Sequence, residues 1–266
     1  MFLSIITINL NNAIGLQKTM ESVFEQTNHD YEWIVIDGGL TDGSVSLLEC
    51  HRDRIQFWKS EPDGGIYSAM NKGIRASKGE YLLFLNSGDC FANKGVVDCF
   101  HNQHHSTDFV VGRSITEGDD LSVSTNSVLV SSLEETIFRL CVSAFPHQAT
   151  FIRRNTFQKY GLYREDKKLA SDWFFSVNAL IKGSASVSNL PILVAVCEKD
   201  GISSRMHQEL YKERQDLINE NPGFAVLFSF YRDNRDIVAA LKDSRSGFFL
   251  FRVYYFFYRK LKRILP

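Results

Sequence analysis

Oxygen-bearing side chains recur at four places in the first ninety residues, and their types suit a phosphate-rich ligand and a hard cation. Asn9, Asn11 and Asn12 follow one apolar run, Asp37 closes a second, Glu61 and Asp63 follow a third, and Asn86, Ser87 and Asp89 follow a fourth. Carboxylates gathered at one rim repel one another unless a cation or a donor-rich ligand compensates them. Mg2+ or Mn2+ bridging two phosphates does so, because these ions take oxygen ligands, accept one or two protein carboxylates and complete their shell with phosphate and water. Asp89 is the leading ligand candidate. Any one of these aspartates alone reads as a turn former or a helix cap; the group as a whole favours binding.

The elements that must position these groups alternate between strand and helix at short spacing. Phe2 to Asn9 and Tyr31 to Asp37 predict strands, and Leu16, Met20, Val23 and Phe24 recur at helical spacing between them. Asp42, in the turn-rich stretch after Asp37, suits the cap of a following helix. Strand Ile55 to Trp58, helix Ile66 to Ala76, a stop at Gly79 and strand Tyr81 to Leu85 repeat the pattern. Such alternation predicts an α/β fold with a mainly parallel sheet covered on both faces, its crevice at the carboxyl ends of the strands. Phe109 to Ser132 is polar and turn-like and predicts a hairpin insertion. Beyond it come a helix near Leu133 to Cys141, the segment Phe145 to Arg153, a helix around Asp172 to Lys182 and a strand Leu190 to Val196. The expected division is a catalytic domain over 1–215 and a helical extension over 216–266.

Composition excludes several classes. With 266 residues and 44% hydrophobic content, the chain can bury a full core. Its five cysteines, at 50, 90, 99, 141 and 197, form no CxxC pair and favour neither a disulfide framework nor a zinc site; a reducing cytosol is expected. The N-terminus lacks the basic region of a signal peptide, and no apolar run reaches the roughly 18 uncharged residues of a membrane span. No GxGxxG follows the first strand, which argues against a dinucleotide-dependent dehydrogenase. Nucleic acid is not an expected partner, because the only basic cluster sits among dense aromatics at one end.

The segments IITINLNN (5–12), WIVIDGGLTDGS (33–44), SEPDGGIYSAMNKGI (60–74) and GEYLLFLNSGD (79–89), in this order and spacing, resemble the nucleotide-binding half of glycosyltransferase family 2. The likeness is greatest to the branch that builds colanic acid, O-antigen and capsule repeat units, and PHQATF (146–151) and LASDW (169–173) extend it more weakly. The resemblance implies the GT-A fold and a hexosyltransferase-type enzyme acting with inversion. Its donor would be a nucleoside-diphosphate sugar of UDP, GDP or dTDP type, its metal Mg2+ or Mn2+, and its acceptor a polyprenyl-diphosphate-linked glycan.

Carried over residue by residue, the resemblance implies that Asp37 contacts the nucleoside and Asp63 lies near base or ribose. Asn86, Ser87 and Asp89 would stand in for the family's DxD motif with Asp89 as metal ligand, and Asp172 would be the general base. Thr7, Asn9, Asn71 and His147, which fall in the matching segments, are further donor-binding candidates. Gly38, Leu40, Ser68 and Gly88 depart from the family pattern: Gly38 replaces an aspartate that reads the base, and Gly88 a second acid of the metal motif. Trp173 suits either a sugar-stacking face or the core. The GISS loop with Arg205 suits closure over a diphosphate or an ordinary turn.

In the C-terminal stretch, eight aromatic residues between Phe248 and Tyr258 sit beside Arg252, Arg259, Lys260, Lys262 and Arg263. That mixture suits a helix lying on an anionic bilayer, or one packed on the domain. The first alternative predicts a peripheral protein on the inner face of the cytoplasmic membrane. Two rivals remain: a nucleotidylyltransferase, disfavoured because no Arg or Lys precedes Lys18 in the segment after the first strand, and a non-catalytic carbohydrate-binding protein.

Overall fold

The computed structural model describes residues 2–39, 41–118, 143–181, 183, 185–199, 201 and 205–221, together with 136, 140, 141, 224, 225 and 228. Leu3–Asn9 (β1) is almost wholly buried, as a parallel strand covered on both faces must be. It pairs in parallel with Tyr31–Asp37 (β2) on one side and Tyr81–Phe84 (β4) on the other, and β2 pairs in parallel with Phe57–Ser60 (β3). The register sets Asn9 opposite Asp37 and Asp37 opposite Ser60, so the three strands end in one polar row.

The sheet continues beyond β4 through Thr150–Arg153 (β7), Phe109–Thr116 (β6), Val187–Cys197 (β8) and Cys90–Phe91 (β5), in the order β3-β2-β1-β4-β7-β6-β8-β5. β6 and β8 run parallel; β7 and β5 are antiparallel to their neighbours. The sheet is therefore mixed but mostly parallel, as expected for a GT-A domain. Alternation along the strands feeds two cores: Ile6, Ile34 and Phe84 lie on one face, and Leu3, Ile5, Trp33 and Val35 on the other. Ala13–Phe24 (α1) covers the second face. Ile66–Ala76 (α3) covers the first, and a Cβ on Gly73 would lie 2.4 Å from Ile6 Cγ2, so glycine lets this helix approach β1.

Ser44–Cys50 (α2), Val96–His101 (α4), Arg154–Tyr160 (α5), Ser171–Ile181 (α6) and His207–Asn219 (α7) complete the described helices. Asp42 joins two helix starts, accepting from Ser44 N at 3.0 Å and from Ala13 N at 2.8 Å.

Two expectations need correction. Phe109–Thr116 is a core strand, not part of a hairpin insertion; Phe109, Val110 and Val111 are buried there, a turn follows at 117–118, and 119–132 lies outside the described residues. The third strand begins two residues later than expected, because Ile55 turns into the core and Gln56 N donates to Trp33 O before the β3 ladder starts. The helix α7 runs across position 215, and its Leu217 and Ile218 belong to the main core with Phe224 and Phe228. The aromatic and basic segment 248–263 lies outside the described residues.

Candidate active site

The row at the ends of β1, β2 and β3 is knitted by hydrogen bonds. Asn9 Nδ2 donates to Asp37 Oδ1 at 2.7 Å and to Ser44 Oγ at 2.9 Å. Ser60 Oγ donates to Asp37 Oδ2 at 2.5 Å, and the Gly39 amide reaches the same oxygen at 3.2 Å. Asp37 is thus a buried carboxylate that accepts three hydrogen bonds, aimed by three strands and a turn. Asn9 Oδ1 is buried without a partner. Asp63, half-buried after β3, accepts from Gly65 N at 2.8 Å and holds the turn into α3.

A second group forms after β4. The Asn86 amide nitrogen donates to His147 Nε2 at 3.1 Å, which leaves Nδ1 as the donor nitrogen of that ring. Nδ1 stands 3.7 Å from Asp172 Oδ2, an electrostatic contact longer than a hydrogen bond. Asp172 Oδ1 accepts from the Tyr67 hydroxyl at 2.8 Å. Burial, reinforced by the Asp172 charge, pushes the Tyr67 phenol well above its usual range, so it remains a donor. Asp172 lies in the first turn of α6 and retains about a fifth of its side-chain exposure. Asn86 Oδ1 is a second buried acceptor without a partner.

Asp89 is buried on the same rim, where Glu198 N donates to its Oδ1 at 3.0 Å and the Gln148 side chain lies near enough to favour the ionised carboxylate. Burial pushes its carboxyl above the usual range; the Glu198 charge adds to this, and His147, the Glu198 amide and Gln148 oppose it. Among the described residues no group of three His, Cys, Asp or Glu side chains could hold a metal. What Asp89 offers is a hard oxygen donor on a rim with unfilled acceptors, which fits Mg2+ or Mn2+ only where a diphosphate and water supply the remaining ligands.

Not every expected donor contact reaches the rim. Thr7 is fully buried: its hydroxyl donates to Leu85 O at 2.7 Å and accepts from Trp33 Nε1 at 2.9 Å, so it braces β1, β2 and β4 from inside. Asn71 is also buried, and it clamps the loop after α5 by donating to Tyr163 O and Glu165 Oε1 and accepting from Tyr163 N. Ser87 is half-buried in the loop after β4, tied through its backbone to Ile8 and Asn12. Trp173 is core: its Nε1 donates to Leu140 O at 2.8 Å and its ring packs on Phe228. Most of the GISS loop, 202–204, lies outside the described residues. Tyr67, Gln148 and Glu198 were not singled out in the sequence, where only the neighbourhood of Tyr67 and Gln148 in matching segments marked them.

Residues 4–161 match glycosyl transferase family 2, more than half of the chain. The chain belongs to glycosyltransferase family 2. A protein of Mycobacterium tuberculosis described as an uncharacterized glycosyltransferase is 33% identical over 215 residues, covering 77% of this chain and 78% of its own. The PGL/p-HBAD biosynthesis glycosyltransferase of Mycobacterium bovis is 29% identical over 72% of this chain and 75% of its own. The family settles the two rivals in favour of a glycosyltransferase. In fold, the enzyme resembles S. aureus TarS 1–349 in complex with UDP-GlcNAc, with a TM-score of 0.65 and 20% identity over 83% of this chain. It spans 66% of that structure, just under two thirds. The mannosyltransferase of Pyrobaculum calidifontis in complex with GDP-Man and Mn2+ superposes with a TM-score of 0.62 and 16% identity, covering 97% of this chain and 82% of its own.

Proposed function

We propose that this glycosyltransferase moves a sugar, with inversion, from a nucleoside-diphosphate sugar to a hydroxyl of a polyprenyl-diphosphate-linked glycan in bacterial surface polysaccharide assembly. The observation that carries this reading is the connected line Asn86, His147, Asp172, Tyr67, which joins the rim bearing Asp89 to a carboxylate at the start of α6. The donor nucleoside lies along Asn9, Asp37 and Asp63, and its diphosphate near Asn86, Ser87 and Asp89. Asp172 Oδ2 takes the acceptor's proton as the acceptor oxygen bonds to the anomeric carbon and the bond to the diphosphate oxygen breaks. Tyr67 holds Oδ1 and so orients the carboxylate, while His147 sets the position of Oδ2. A divalent ion held by Asp89 supplies neutralisation of the departing diphosphate charge. A carboxylate base on the face opposite the leaving group needs no covalent intermediate.

Donors of nucleoside-diphosphate type are supported by the UDP-GlcNAc and GDP-Man complexes of the two structural relatives, and a divalent metal by the Mn2+ in the second. The acceptor class, the colanic acid, O-antigen or capsule setting and a peripheral position on the inner membrane face rest on the sequence resemblance and on the aromatic and basic segment near the C-terminus. Among the described residues no helix is long and apolar enough to cross a membrane.

The deciding experiment is thermal denaturation with UDP, GDP, dTDP and CMP, each with and without Mn2+. A ligand held only by the folded state raises the melting temperature according to its affinity. Stabilisation by one nucleoside diphosphate that requires the metal is expected; no response to any of the four removes the proposed donor site.

A further inference from the structure

Gly88 and Glu198, 110 positions apart, share one volume. Gly88 has φ +99°, and a Cβ built on it would lie 2.5 Å from Glu198 Oε2 and 2.8 Å from Glu198 Cδ. The Glu198 carboxylate therefore fills the space that a side chain at position 88 would take, directly beside Asp89. Its backbone is well fixed. Glu198 follows β8, whose Val196 pairs with Cys90, and its own N–H is the group that bonds Asp89 Oδ1.

Two carboxylates are thus drawn together by the main chain, at a cost in repulsion that a cation between them removes. Lys18 does not replace that cation. Its ammonium is paired with Glu117 at 2.8 Å, so one positive charge answers both Glu117 and Glu198. Glu198 itself is exposed, and so is open to an ion arriving with its ligand.

We propose that Glu198 is a second carboxylate ligand of the divalent cation, approaching it from the end of β8 as Asp89 approaches from the loop after β4. The inference rests on the reading that Asp89 holds a cation. It gives the site the pair of protein carboxylates that Mg2+ and Mn2+ commonly use beside phosphate oxygens and water. Glycine at position 88, favoured there by its φ of +99°, leaves that space to the Glu198 carboxylate.

The test is calorimetric titration of Mn2+ into the full chain, first alone and then with UDP or GDP present, comparing the wild type with Glu198→Gln and Asp89→Asn. Glu198→Gln keeps size, the main-chain bond to Asp89 survives and one repelling charge is removed, so its metal-free melting temperature should be no lower than that of the wild type. Its Mn2+ affinity should fall by at least about tenfold, the lower end of the loss that even outer partners of a metal site cause. If Asp89→Asn loses Mn2+ while Glu198→Gln binds as the wild type does, the role of Glu198 is overturned and that of Asp89 stands. If the wild type itself takes up no Mn2+ under any condition, both fail together.

Discussion

Tyr67 on α3 donates its phenolic proton to Asp172 at the start of α6, at 2.8 Å and across 105 residues of sequence. One carboxylate oxygen is thereby occupied and the other is left toward His147, which gives the proposed base a defined orientation. Tyr67→Phe removes this bond alone. A hydrogen bond to a charged group contributes about 1.5–3 kcal/mol, so kcat should fall by roughly one to two orders of magnitude while the donor KM changes little. Steady-state kinetics over a donor series measure the split; an unchanged kcat would confine Tyr67 to a packing role.

Asp172→Asn preserves size and can still accept from Tyr67, but it cannot take up the acceptor's proton. Transfer should drop by about 10²–10⁴-fold, the usual contribution of a positioned base, with metal-dependent nucleotide stabilisation retained. Losing nucleotide stabilisation together with transfer would move Asp172 to the donor side of the site.

Asp89 carries a pH signature. Its folded carboxyl is raised above the unfolded value by burial, so the protonated form favours the fold, and that contribution is lost as pH rises through the folded value. Asp89→Asn should therefore raise the melting temperature of the ligand-free enzyme at neutral pH and remove this part of its pH dependence. A bound cation requires the ionised form, so Mn2+ affinity should weaken about tenfold per unit once pH falls below the raised value. Scanning calorimetry and Mn2+ titration from pH 4 to 8 report both effects; a variant no more stable than the wild type would contradict the first.

Thr7→Val keeps the shape of the side chain but leaves the Trp33 indole N–H without its acceptor and Leu85 O without the Thr7 donor. Each buried group stranded in this way costs about 1–3 kcal/mol. Urea unfolding should show a loss in that range or larger, and nucleotide affinity in the folded enzyme should be unaltered. Weakened nucleotide binding at unchanged stability would restore Thr7 to the donor contacts.

Removal of residues 246–266 addresses the membrane proposal. The truncated enzyme should keep the core formed by Leu217, Ile218, Phe224 and Phe228 and should still bind nucleotide with Mn2+. It should no longer sediment with vesicles containing anionic lipid, to which the basic residues of the removed segment contribute about 1 kcal/mol each. Equal sedimentation of both forms would assign that segment a different role.

Much of the scaffold was legible locally. The strand over Tyr31–Asp37 and the helix over Ile66–Ala76 have the bounds their periodicity predicts, because an apolar repeat of two or 3.6 residues states which side of an element is buried. The polar ends of β1, β2 and β4 could be read in the same way, since a parallel sheet brings the carboxyl ends of its strands to one rim. The strand Phe109–Thr116 is not legible locally, because its short apolar run is followed by a long polar stretch and nothing in it says that β7 and β8 will flank it.

By itself, then, the sequence determined the alternating elements, the polar rim and the candidate carboxylates Asp37 and Asp89, because each depends on residue type and on spacing within one segment, while Asp172 was marked by the family resemblance. Only the tertiary structure decided which of those groups act together. It drew Thr7 and Asn71 into the interior as braces and buried Trp173. It also set Tyr67 against Asp172, His147 beside Asn86, and Glu198 in the space over Gly88. Contacts across about 60 to 110 residues follow from how the sheet orders its strands and where the helices dock on it, and no local pattern of side chains records that order.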